Sequence, residues 1–174
     1  RNAQLKPGYN VQLAVDSEYI VGTEIFQDRN DVWTLVPFTK QLEEKLGFCY
    51  PSVTADSGYE SEEAYSYLAE KEITAFIKPQ TYQQWKKRSF KKDISKRENM
   101  IYDEASDTYT CHNGKILSVS YTKHQKSKNG YISEVTVYEC ESCEGCPCKG
   151  KCTKAKGNKK LYVSKKFIEQ RQKS

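Results

Sequence analysis

Apolar and polar residues alternate at the start of the chain. The alternation runs from Gly8 to Asp16, and Tyr19–Phe26 continues it after a Ser17-Glu18 turn. Successive side chains of a strand point to opposite faces of a sheet, so alternation on both sides of a short turn is typical of two paired strands. The pattern predicts an antiparallel hairpin.

The spacing of apolar residues then changes to that of a helix. From Leu35 to Leu46 they recur three or four positions apart, with Thr34 in the N-cap position and Gly47 placed to end the helix. The next predicted elements are a short buried strand at residues 50–55, a helix at 62–71 with Ser61 as its cap, and a strand at 73–77. The order ββαβαβ indicates an α/β fold.

Beyond Pro79 the pattern becomes irregular. We interpret residues 1–79 as one core and residues 80–99 as a mobile basic arm. The runs of β-forming residues at 100–153 are separated by turn sequences and predict a small β-rich insert with few large apolar residues. Residues 154–174 are assigned to a basic linker and the start of a C-terminal helix.

Charge is divided unevenly along the chain. Residues 1–77 contain six Lys and Arg against thirteen Asp and Glu, whereas residues 78–174 contain twenty-two against ten. Cations interspersed with aromatic residues are typical of a surface that binds nucleic-acid phosphates, although a solvated lysine-rich face gives the same pattern. The candidate DNA-binding residues of the arm are Lys86, Lys87, Arg88, Lys91, Lys92, Lys96 and Arg97.

A carboxylate ends the strand predicted at residues 50–55. Asp56 is followed by Ser57 and Gly58, and a helix with acidic residues in its first turn comes next. An Asp at the carboxyl end of a strand projects into the crevice where α/β folds bind ligands, and it is a good ligand for a hard divalent cation. Asp before Ser-Gly is also common turn chemistry, so both interpretations stay open here.

Five of the seven cysteines lie between Cys140 and Cys152. In a reducing compartment such a cluster indicates a metal site rather than disulfides, and tetrahedral Zn²⁺ takes four thiolates. Unmetallated thiols, disulfides and an iron–sulfur cluster are the alternatives. Our favoured zinc ligands, with Cys140 as the substitute, are Cys111, Cys143, Cys146 and Cys152.

Several of these stretches together resemble the DDE transposases of bacterial insertion sequences. Lys6–Asp16, the loop Asp28–Asp31 and Thr54–Tyr59 look like the second strand, the loop after the hairpin and the second catalytic aspartate strand of that family. Tyr109–Lys115 and Cys143–Thr153 are similar to a cysteine-bearing insertion in one branch of it. The resemblance covers nearly the whole chain.

The resemblance implies a partial RNase H-like catalytic domain with a mixed sheet. In this family two Asp and one Glu hold two Mg²⁺ or Mn²⁺ ions that activate water or a DNA 3′-hydroxyl for attack on a phosphodiester. Asp56 would be the second Asp. The first Asp is expected ahead of Arg1 and the Glu beyond Ser174, because Asp16 and Glu169 are poor substitutes for them.

The implied function is cleavage and strand transfer of double-stranded DNA, at transposon ends and target, in transposition of an insertion sequence. The chain opens without an initiator Met, so we expect an interior fragment that is inactive alone and part of a homo-oligomeric enzyme. No apolar run is long enough to span a bilayer, and a cytoplasmic, nucleoid-associated bacterial protein is expected. The alternative is a non-catalytic, metal-stabilised DNA-binding module or the remnant of a decayed transposase.

Overall fold

A computed structural model describes residues 8–174, so Lys6 and Pro7 of the Lys6–Asp16 stretch lie outside the described residues. The chain forms two compact units. The first contains the residues up to Gln80 together with Gln170–Ser174, and the second contains Thr81–Glu169.

The predicted hairpin and the first helix are both present in the first unit. Strands β1 (Asn10–Asp16) and β2 (Tyr19–Phe26) pair antiparallel, which confirms the hairpin. Helix α1 (Leu35–Leu46) ends at Gly47, whose left-handed backbone (φ 77°) suits a residue without a side chain. The Thr34 hydroxyl makes no capping bond. It donates instead to the Asp31 carbonyl (2.9 Å), so Thr34 occupies the predicted N-cap position without a side-chain cap.

The remaining elements of the first unit follow the predicted order. They are β3 (Ser52–Ala55), α2 (Glu62–Glu70) and β4 (Thr74–Ile77), with β3 and β4 parallel. The backbone N–H of Ala64 donates to the Ser61 hydroxyl (3.0 Å), which confirms Ser61 as the cap of α2. The ββαβαβ order and the α/β class are confirmed.

The strands do not form the single mixed sheet that we predicted. Within residues 8–174, β1 pairs only with β2, and β3 pairs only with β4. The prediction that β3 is buried is also wrong, since its residues alternate between exposed and half-buried. One face of the β1–β2 hairpin is likewise open, with five large apolar side chains each more than half exposed: Val11, Leu13, Val15, Ile20 and Ile25.

The second unit is built on a five-stranded antiparallel sheet. Its strands follow chain order, and the turns predicted within residues 100–139 connect the first four of them. The strands are β5 (Ile101–Asp103), β6 (Thr108–Thr110), β7 (Ile116–Lys126), β8 (Ile132–Cys140) and β9 (Lys160–Val163).

Four helices complete the described chain, and 3-10 turns occur at Asp31–Trp33, Ser57–Tyr59 and Arg97–Asn99. The segment predicted as an arm contains two of these helices and the last 3-10 turn. The helices are α3 (Tyr82–Trp85), α4 (Arg88–Lys91), α5 (Lys149–Cys152) and α6 (Lys165–Lys173). Among the described residues, no helix is both long and apolar enough to cross a bilayer.

Two expectations for the insert are corrected by β9 and by the core of the sheet. Lys160–Val163, which we assigned to the linker and the C-terminal helix, pairs with β8 as a strand. The sheet also buries a substantial apolar cluster, whereas we expected few large apolar residues in the insert. The cluster consists of Met100, Tyr109, Leu117, Tyr138, Cys140, Cys143, Leu161 and Val163.

Candidate functional site

Asp56 lies at the carboxyl end of β3, where the strand pattern placed it. Its Oδ1 accepts a hydrogen bond from the backbone N–H of Gly58 (2.7 Å), and it thereby caps the 3-10 turn Ser57–Tyr59. The residue is exposed. The turn interpretation is therefore correct for Oδ1, and the same bond holds the carboxylate at the end of the strand.

Asp31 lies beside Asp56, and the sequence analysis missed this. Asp31 Oδ2 is 3.0 Å, and Asp56 Oδ1 3.1 Å, from the point that a β-carbon on Gly58 would occupy. The other Asp31 oxygen, Oδ1, accepts from Asn10 Nδ2 (2.8 Å) and Gln12 Nε2 (3.1 Å). Two carboxylates thus face the space beside Gly58, and a larger residue there would displace them.

Tyr59 links the Asp56 turn to β1. Its hydroxyl donates to Gln12 Oε1, and Gln12 is buried at 2% exposure. Burial raises the pKa of Tyr59, and the nearby charges of Asp31 and Asp56 raise it further. Two polar residues of β1, Asn10 and Gln12, are therefore the signal that could have placed Asp31 near the site.

Asp16 does not belong to the Asp56 site. It is the last residue of β1, before a turn in which Ser17 and Glu18 have positive φ angles (48° and 73°), and it accepts from the Ser17 hydroxyl (3.1 Å). Desolvation raises the pKa of Tyr50, and the Asp16 carboxylate adds to that rise through its charge and a hydrogen bond. Tyr50 precedes β3 whereas Asp56 follows it, so Asp16 lies at the opposite end of that strand.

A groove of about 770 Å³ runs along the first unit between β1 and β3. It is lined by residues 13–16 of β1 and 49–56 around β3, together with α1 side chains such as Leu35 and Phe38. Asp56 lies at one end of the groove. Since neither strand has a second partner among the described residues, the backbone groups along both edges are open to further pairing.

A buried ion pair lies immediately after the Asp56 turn. Glu60 is fully buried and accepts from Arg171 Nε at Oε1 (2.5 Å) and from Arg171 Nη2 at Oε2 (2.7 Å). The Gln80 backbone N–H (2.7 Å) and the Tyr65 hydroxyl (3.2 Å) also donate to the carboxylate. Burial, with the Glu60 charge, raises the pKa of Tyr65 to about 12. The sequence analysis did not identify this pair.

The cysteines of the second unit meet at one small cavity. Its volume is about 20 Å³, enough for a single ion or water molecule rather than an organic ligand. Our four favoured zinc ligands and the substitute Cys140 all line it. The cysteines along the cavity are Cys111, Cys140, Cys143, Cys146, Cys148 and Cys152, with His112 beside them.

The contacts of the thiols show how closely they cluster. Burial raises the pKa of Cys140 to about 11, and the neighbouring thiols of Cys143 and Cys111 contribute to the rise. Burial also raises the pKa of Cys152. The Lys159 backbone N–H donates to Cys143 Sγ (3.3 Å).

Neither the Asp31–Asp56 pair nor the cysteine cluster is a complete metal-binding site among the described residues. Across residues 8–174, no three His, Cys, Asp or Glu side chains converge closely enough to hold an ion. At Asp56 the structure brings together two carboxylates. At the cysteines the sulfur atoms surround the cavity without being gathered on one point, so a bound ion would have to draw them inward.

The seven basic candidates of the arm fall into two groups. Lys96 and Arg97 are half-buried, with Lys96 Nζ 5.9 Å from the Phe90 ring centroid and Arg97 Nη2 paired with Glu98 (3.3 Å). Lys86 is exposed and lies over the Tyr82 ring (4.1 Å). The exposed group, which includes neighbours on α4, is Lys86, Lys87, Arg88, Lys91 and Lys92.

Comparison with protein-family models matches residues 110–174 to the transposase DDE domain. The matched segment starts at the end of β6 and includes all six cysteines that line the cavity. No curated protein and no solved structure matches the chain. The family match bears out the resemblance drawn from the sequence over residues 110–174 and supports a DDE transposase fragment.

Proposed function

We propose that this chain is the central part of a DNA transposase that cleaves and joins phosphodiesters of an insertion sequence with the help of divalent metal ions. The observation that carries the proposal is the pairing of Asp56 and Asp31 beside Gly58, at the carboxyl end of a strand. Carboxylate oxygens are preferred ligands of Mg²⁺ and Mn²⁺, which lower the barrier to attack on a phosphodiester.

Asp56 is the metal ligand in this proposal, and Asp31 is held in place to support it. The side chains of Asn10 and Gln12 both donate to Asp31 Oδ1, which leaves Oδ2 directed toward Gly58. Two carboxylates are fewer than two metal ions require, so further ligands come from elsewhere in the protein. The groove between β1 and β3 accepts an additional strand that completes the sheet, since both facing edges are unpaired among the described residues.

The cysteine cavity holds one Zn²⁺ in this proposal. Cys111 follows β6, whereas Cys143, Cys146 and Cys152 lie in the loop between β8 and β9, so an ion bound to all four would tie that loop to the sheet. The Lys159 N–H already directed at Cys143 would stabilise the bound thiolate. The zinc role is structural, because four protein ligands leave no open position.

The exposed cations of α4 and its flanks contact DNA phosphates in this proposal. Lysine and arginine contacts to phosphate raise affinity for DNA of any sequence, so this surface holds the substrate without selecting it. The uneven charge distribution supports the assignment, because the excess of Lys and Arg lies after residue 77, in the part of the chain that contains these cations. Asp56 lies in the acidic part before it.

The experiment is strand cleavage of a duplex carrying the element's ends by the full-length transposase in Mg²⁺. Asp56→Asn removes the charge and keeps the shape of the side chain, and we expect it to abolish cleavage while DNA binding is retained. Asp103→Asn, at an exposed carboxylate in the second unit, is the matched control and should cleave normally. Cleavage by Asp56→Asn above background would refute the catalytic assignment and favour a binding module.

A further inference from the structure

The outer face of the sheet in the second unit carries a row of aligned residues. Tyr121 of β7 is opposite Val137 of β8, and Val137 is opposite Tyr162 of β9. Directly opposed residues in antiparallel strands share a face. The next residues along, Tyr138 and Leu161, belong to the buried core, so this row lies on the other side of the sheet.

The two tyrosines of this row are exposed although the residue between them is not. Tyr121 is 46% and Tyr162 56% exposed, whereas Val137 is 0% exposed. The rings therefore flank the valine and present aromatic surface to solvent. With strands about 4.8 Å apart, two intervals place the ring-bearing positions roughly 10 Å from each other.

Each ring lies close to a lysine from the other outer strand, across β8. Lys123 Nζ of β7 lies 4.7 Å from the centroid of the Tyr162 ring, and Lys160 Nζ of β9 lies 5.9 Å from that of Tyr121. Lys160 also pairs with Glu139 Oε2 (3.2 Å). The charge of Lys123 lies at the Tyr162 end of the row. Each of the two rings thus has an ammonium group over it.

We propose that this face binds single-stranded DNA, with bases stacking on Tyr121 and Tyr162 and phosphates contacting Lys123 and Lys160. Flat aromatic side chains on an open sheet bind unpaired bases, because bases inside a duplex are already stacked on each other. The lysines supply the complementary charge for the backbone. The surface is separate in sequence from the cations at residues 86–92, and it extends the proposed function to a strand freed from its duplex.

The test measures binding of this chain to a fluorescently labelled oligothymidine by anisotropy, with the same oligonucleotide in duplex form as comparison. Tyr121→Ala and Tyr162→Ala should each weaken single-strand binding by roughly 5- to 100-fold, since each removes one stacking platform. Tyr121→Phe and Tyr162→Phe keep the ring and should bind nearly as the unaltered chain does. Lys123→Gln should reduce the dependence of binding on salt.

Tyr19→Ala is the matched control, because Tyr19 is also an exposed tyrosine on a strand but lies in the first unit. Circular dichroism checks that each variant is folded. If an Ala variant does not fold, the Phe variant of the same tyrosine still tests the proposal. Ala variants that bind the single strand as tightly as Tyr19→Ala would overturn the proposal. Equal affinity for duplex and single strand, unaffected by the Tyr substitutions, would also overturn it. Neither result depends on cleavage, so the proposed catalytic role of Asp56 is tested independently.

Discussion

Breaking the Glu60–Arg171 pair should destabilise the first unit more than breaking any exposed ion pair. Arg171→Met removes the guanidinium and keeps most of the apolar length of the side chain. Glu60 would then remain at 0% side-chain exposure with only two neutral donors, the Gln80 N–H and the Tyr65 hydroxyl. A buried carboxylate without a countercharge is strongly unfavourable.

The expected size of the effect follows from the burial of the pair. Removing one partner of a buried ion pair costs about 3–5 kcal/mol, and since the Arg171 side chain is itself 18% exposed we expect about 3 kcal/mol. That corresponds to roughly a hundredfold shift in the unfolding equilibrium. The double variant Glu60→Gln/Arg171→Met removes both charges and should recover part of the loss.

Urea unfolding followed by Trp33 fluorescence measures this loss. The chain has two tryptophans, so a Trp85→Phe background leaves Trp33, in the first unit, as the only probe. Lys71→Met is the matched control, because Lys71 pairs with Glu43 (2.9 Å) where both side chains are solvent-exposed, at 40% and 31%. Such pairs contribute little. If Arg171→Met shifts the urea midpoint no more than Lys71→Met does, the buried pair does not stabilise the unit.

Three further predictions concern the second unit. Replacing Lys86, Lys87, Arg88, Lys91 and Lys92 with Gln should weaken binding to unrelated duplexes alike and flatten its salt dependence, as anisotropy titrations over a salt series would show. An unchanged salt slope would leave these residues as a solvated face. A strong chelator should release about one equivalent of zinc and expose residues 141–158 to protease while β5–β9 stay protected, because the sheet has its own apolar core. Elemental analysis that finds no metal in reduced, freshly purified protein would remove the zinc assignment. The Lys165 ammonium and the hydroxyls of Tyr102 and Tyr138 lower the pKa of Asp107 to about 2. Because this lies below the unfolded value of about 3.9, the stabilisation is complete above that pH and is lost as the pH falls toward 2. Asp107→Asn should therefore reduce the acid sensitivity of thermal unfolding, and an identical pH profile would contradict this.

Local pattern was enough to predict most elements of the first unit. The hairpin, the end of α1 at Gly47 and the Ser61 cap of α2 each depend on residues close together in sequence. β9 was missed for the opposite reason. Lys159 and Lys160 read as part of a basic linker, and Lys160–Val163 becomes a strand only through pairing with β8, more than twenty positions earlier.

The candidate site was predictable only at Asp56, where strand, carboxylate and glycine are contiguous. Asp31 reaches it because β1 supplies Asn10 and Gln12, and no short motif contains these residues together. Glu60 and Arg171 are 111 positions apart, so their pairing also depends on the tertiary fold. The clustering of the cysteines follows from their closeness in sequence, and the structure places the four proposed ligands at one cavity together with Cys140 and Cys148. The choice of these four as zinc ligands stays a prediction.

The most direct test of the central claim asks whether Asp56 itself binds the catalytic ion. Asp56→Cys in the full-length transposase replaces a hard oxygen ligand with a soft sulfur ligand, which Mg²⁺ accepts poorly and Mn²⁺ accepts better. We expect cleavage of a duplex carrying the element's ends to be lost in Mg²⁺ and partly restored in Mn²⁺, whereas Asp103→Cys cleaves normally in both. Cleavage by Asp56→Cys in Mg²⁺ at the rate of the unaltered enzyme would contradict the account.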